Sequence, residues 1–115
     1  MLLAAGRVAF GLAFLLAPKK AAHGWIGDDV DRKPVELLVR AVGARDVVLG
    51  AGGVMAAMSG RPLRPWLRAG VAADAADALT TALYLTHLPR QGALATLGLT
   101  AVAALAGVRV AARVE

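Results

Sequence analysis

Four apolar stretches, residues 2–17, 35–58, 66–88 and 93–112, take up most of this 115-residue chain and decide what it can fold into. At about 1.5 Å of rise per helical residue, each of the last three is long enough to cross a hydrocarbon core roughly 30 Å thick. With 58% hydrophobic and only 18% charged residues, the composition lies outside the usual range of a small soluble domain. The expected fold class is all-α: a transmembrane four-helix bundle with short loops, forming a single integral membrane domain. The first stretch is short for a span, carries Arg7, and stops at Pro18, Lys19 and Lys20. Local thinning of the bilayer, or an Arg7 turned inward, is expected there. Its positive charges follow the apolar run and no small-x-small cleavage site is visible, so it reads as a span rather than a signal peptide.

The connections are polar and broken by proline. The first, PKKAAHGWIGDDVDRKP, reads as a segment in the headgroup zone anchored by Trp25; Trp66 reads as a second interfacial anchor. In SGRPLRPWLR the prolines end the helix and the arginines reach toward phosphates. The link LPRQG is tight enough to make its two helices antiparallel neighbours. The net charge of +5 sits at segment ends and inside apolar runs, which points to anionic membrane lipids as partners and not to nucleic acid. Loop charges do not set an orientation. Arg61, Arg64, Arg68, Arg109 and Arg113 on one side balance Lys19, Lys20, Arg32, Lys33 and Arg90 on the other. One fixed orientation and dual insertion with antiparallel pairing both remain open, and a homo-oligomer is an expected partner state.

Six ionisable residues fall inside the spans: Arg7, Arg40 and Arg45 against Asp46, Asp74 and Asp77. An unpaired Arg or Asp at a helix centre costs roughly 2.5 to 3.5 kcal/mol on insertion scales, so pairing is expected, mainly between helices. Asp74, Asp77, Thr81 and Tyr84 recur at helical spacing and form a polar stripe on span three, with Gly70 above it. On span two, Gly43, Asp46, Gly50, Gly53 and Ala57 form a stripe of small residues around one carboxylate. The two stripes are expected to face each other. Span four offers Ala103, Gly107 and Ala111 as a packing face.

The runs GRVAFGLAFLLAP, a Trp-Ile-Gly element, RAVGARDVVLG and PWLRAGVAADAADAL resemble a family of small four-span bacterial membrane proteins known only as a domain of unknown function. The resemblance extends to about Leu83. It implies the four-helix membrane fold and importance for Arg40, Gly43, Arg45, Asp46, Gly50, Asp74 and Asp77; the expected location of the chain is multi-pass in the cell inner (plasma) membrane. It implies no activity.

Three readings of the charged residues follow. Asp74 and Asp77, two carboxylates on one apolar face, have the arrangement of an acid–base pair, with Tyr84 beside them and Arg40 or Arg45 opposite to hold an oxyanion. Arg7, Arg40, Arg45, Asp46 and Thr81 would line a site for a lipophilic small molecule. Alternatively the residues are structural and only fix the bundle's register, or they serve a proton-coupled carrier. No cofactor is expected. The chain has no cysteine, GAGG at residues 50–53 lacks the setting of a phosphate loop, and Asp28, Asp29 and Asp31 near His23 suit a helix start better than a metal site.

Overall fold

The computed structural model describes residues 2–114, and all of its regular structure is helical. Five helices follow one another: α1 Leu2–Leu16, α2 Pro18–Ile26, α3 Lys33–Met58, α4 Arg64–Leu83 and α5 Arg90–Arg113. Two short 3₁₀ turns, Asp28–Asp31 and Leu85–His87, precede α3 and α5.

Proline and glycine set the breaks. Pro18, Pro34 and Pro65 each stand in the first turn of their helices, where the missing N–H costs nothing. Gly27, at φ +88°, ends α2 in a conformation that side chains disfavour, and its N–H donates to the His23 carbonyl. The expected headgroup segment is thus a nine-residue helix, bent 99° from α1. Trp25, expected as a headgroup anchor, turns its ring into the bundle, 6.2 Å from that of Phe14, and its Nε1 donates to Thr81 of α4.

α3 and α5 are long and apolar enough to cross a membrane, and α1 with α2 make a third such segment if the bent pair is taken as one. Span three, read as residues 66–88, ends as a helix at Leu83. There the backbone leaves helical geometry at Tyr84 and tightens into the turn that leads to α5.

The most extensive packing is between α1 and α3. A methyl group on Gly50 would lie 2.6 Å from the Ala4 carbonyl oxygen and 2.8 Å from the Val8 nitrogen. At Gly11 it would lie 2.6 Å from the Gly43 oxygen. These backbones touch because the residues between them have no side chain. The small-residue stripe of α3 therefore receives α1, whereas the sequence suggested that it faces span three. α4 instead pairs with α5, where Gly107 sits against Val71, and Ala111 packs with Leu63 and Leu67. The two pairs meet along a narrower seam, and that seam holds the charges.

α5 is patterned inside out. It buries Ala93, Gly107 and Ala111 and turns Val102, Leu105 and Val108 outward. A protein in water buries its large apolar side chains, so this pattern is one for an apolar surrounding.

Candidate functional site

Arg7 leaves the middle of α1 and lies over the α4 backbone at Gly70, where a β-carbon would stand 3.0 Å from Nη2. Gly70 is one turn before Asp74, and the space it leaves lets the guanidinium meet that carboxylate edge on. Nη1 donates to Asp74 Oδ1 at 3.0 Å and Nη2 to Oδ2 at 2.6 Å, a bidentate pair between α1 and α4. Nη1 also reaches Asp46 Oδ1 on α3 at 3.4 Å.

Arg45 makes the matching pair between α3 and α4. Its Nη1 and Nη2 donate to Asp77 Oδ1 and Oδ2 at 3.0 and 2.7 Å. Its Nε and Nη2 also lie 3.3 and 3.2 Å from Asp46 Oδ1. The result is an alternating chain, Asp74, Arg7, Asp46, Arg45, Asp77, that crosses the seam from one turn of α4 to the next. Asp46 is at its centre and is the most enclosed, with 8% of its side chain exposed.

Five of the residues singled out in the sequence come together here and three do not. Arg40 is directed to the end of α1, where it donates to the Leu15 carbonyl and reaches Glu36 at 3.3 Å. Thr81 is buried and accepts the Trp25 indole N–H at 3.1 Å. Tyr84 caps α4 with 61% of its surface exposed, its ring 6.1 Å from that of His87. Asp74 and Asp77 share no hydrogen bond among the described residues; each has both oxygens occupied by a different guanidinium. Near the start of α3, Asp28 pairs with His23 at 3.1 Å and Asp31 with Lys19 at 3.9 Å.

The ionic chain closes one end of a cavity of about 270 Å³. Arg7, Asp46, Asp74 and Asp77 line that end; Phe10, Leu49, Trp66, Leu67, Val71 and Leu99 supply apolar wall. Trp66, read from the sequence as an interfacial anchor, packs its ring against Gly52 and forms part of this wall. The wall residues carried no polar signal by which the sequence could mark them. Gly70, already placed above the polar stripe, was marked by position: one turn before Asp74 is where an approaching guanidinium needs room.

Fold and site together define a class: a helical protein with two to three candidate membrane-spanning helices and a charged chain between its helix pairs. No family model, curated protein or solved structure matches the sequence.

Proposed function

We propose that this is a four-span integral membrane protein of the inner (plasma) membrane that holds a lipophilic small molecule in the cavity beside its Arg/Asp chain. The cavity carries this reading: apolar walls end in a cluster of fixed charges, the combination in which hydrophobic surface gives affinity and a few polar groups give orientation. Its volume of about 270 Å³ lies just below the roughly 300 to 1,000 Å³ of drug-sized ligand pockets, which suits a small molecule.

The fourth span is α4. By composition it falls short because Arg64, Arg68, Asp74 and Asp77 lie within it. In the assembled bundle Asp74 and Asp77 are matched by guanidinium groups from α1 and α3, and Arg64 donates to the carbonyls of Ala111 and Val114 at the end of α5. The charges that count against α4 in isolation are largely paired once its neighbours are present. The longest dimension, 43 Å, agrees with a bilayer of about 40–45 Å including headgroups.

Two measurements test the reading. With no native cysteine in the chain, single cysteines at Ser59 and Gln91 report sidedness through an impermeant maleimide. If α4 spans, the two react from opposite faces of sealed vesicles; reaction from one face removes α4 as a span. For the cavity, Thr100→Trp places an indole in the space, since Thr100 lines it. Native mass spectrometry of protein purified from its membrane is expected to show a bound small molecule on the wild type and none on this variant. Equal masses on both count against the cavity as a binding site.

A further inference from the structure

The buried chain does not balance. With Arg40 drawn away to Leu15 and Glu36, two guanidinium groups, Arg7 and Arg45, face three carboxylates, Asp46, Asp74 and Asp77. One negative charge is left over in surroundings where charge is costly.

The hydrogen bonds locate it. Both oxygens of Asp74 and both of Asp77 accept from guanidinium groups. Asp46 receives Arg7 and Arg45 on Oδ1 alone. Its Oδ2 accepts nothing among the described residues, although more than nine-tenths of the side chain is buried. No fully enclosed side-chain nitrogen or oxygen lacks a partner among the described residues, so Oδ2 is not sealed. The space that Asp46 lines is the cavity.

Nothing else in the cavity supplies a free cation. Arg7, the one basic residue among those lining it, is committed to Asp74 and Asp46. The Thr100 hydroxyl donates to carbonyls of its own helix. A ligand completing this site has to bring a positively charged N–H donor on an apolar body. Phe10 and Trp66 in the walls, with Leu49 and Leu99, give that apolar body a surface to lie against.

We propose that the cavity binds a lipophilic ammonium, with the charged nitrogen donating to Asp46 Oδ2 and the hydrocarbon lying among Phe10, Leu49, Trp66 and Leu99. This rests on the reading of the cavity as a lipophile site and adds the charge of its ligand. Two sources offer such a group: a free alkylamine and the primary amine of a phospholipid headgroup.

The test uses the full chain in nanodiscs of phosphatidylcholine and phosphatidylglycerol, which carry no primary amine, with n-hexylamine as probe at neutral pH. The readouts are tryptophan fluorescence, to which Trp66 in the cavity wall contributes, and thermal stability, which a ligand of the folded state raises. Hexylammonium is expected to bind saturably and at least tenfold more tightly than hexanol. Asp46→Asn should lower its affinity at least tenfold, Thr100→Trp should abolish binding, and Arg40→Gln should bind as wild type. Thr100→Trp leaves every charged residue in place, so the test survives if Asp46→Asn fails to fold. Hexanol and hexylammonium binding equally, both blocked by Thr100→Trp, would overturn the ammonium and leave the lipophile site standing. Unchanged affinity in Asp46→Asn also overturns it, and no binding of either probe removes both readings. In discs containing phosphatidylethanolamine, a several-fold weaker apparent affinity identifies the headgroup amine as a competing occupant. An unchanged affinity assigns the site to free amines.

Discussion

Replacing Arg7 with Gln is expected to cost more than any other single change to the charged chain. Arg7 has 18% of its side chain exposed and Asp74 has 9%, and their two hydrogen bonds, 3.0 and 2.6 Å long, form the most enclosed bidentate pair in the cluster. Without the guanidinium, Asp74 loses both of its hydrogen bonds and Asp46 one of its two partners, so that Arg45 alone faces three carboxylates. Breaking a buried pair from one side costs about 3–5 kcal/mol. Because the cavity gives the orphaned carboxylates some access to water, the lower end, about 3 kcal/mol, is expected. That is a change of roughly a hundredfold in the folding equilibrium. Asp74→Asn alone should cost less, because the Asn side-chain oxygen can still accept one Arg7 N–H and the two guanidinium groups then face two carboxylates, Asp46 and Asp77. The double variant restores the original balance, with Arg45 against Asp46 and Asp77, so it should be less damaged than the sum of the singles by about 2 kcal/mol. Reversible unfolding in bicelles, followed by tryptophan fluorescence, measures all four corners of the cycle. Strictly additive losses, with a coupling below about 0.5 kcal/mol, would refute the assignment of Arg7 and Asp74 as partners.

Two further expectations rest on packing. Gly50→Ala should destabilise by about 1–3 kcal/mol, because its methyl group meets the α1 backbone at 2.6 Å; Gly98→Ala, with open space around it, should be neutral or gain up to about 1 kcal/mol of helix propensity. The same unfolding titration checks both, and equal effects would show that α1 does not lie on α3 through its glycines. Thr81→Val removes the acceptor of the Trp25 indole while keeping the shape, and should cost about 1 kcal/mol and shift the Trp25 emission. An unchanged spectrum would place Trp25 outside the bundle.

The helices and the need for paired charges were legible in the sequence. Apolar runs of spanning length, with prolines and glycines at their ends, marked most of the helices. Inside those runs, helical spacing put Asp74 and Asp77 on one face, and the cost of isolated charge in an apolar setting required cations from other helices to meet them. These conclusions need only local geometry and transfer energies, and both are properties of the chain alone.

Which partner meets which carboxylate was decided by the tertiary structure. Tyr84 continues the stripe only while the helix continues; α4 ends at Leu83, so the spacing ceases to say where Tyr84 points. Thr81 keeps its place on the stripe, but the bend after α1 swings α2 around and brings Trp25 to its hydroxyl. Arg40 is within reach of the last turn of α1, whose free carbonyls accept its guanidinium, and Glu36 one turn back on α3 supplies a carboxylate. With it goes the apparent balance of three charges against three. Composition counts every charge within a span, whereas the site counts only those whose side chains can reach the seam, and that reach depends on how α1 lies across α3.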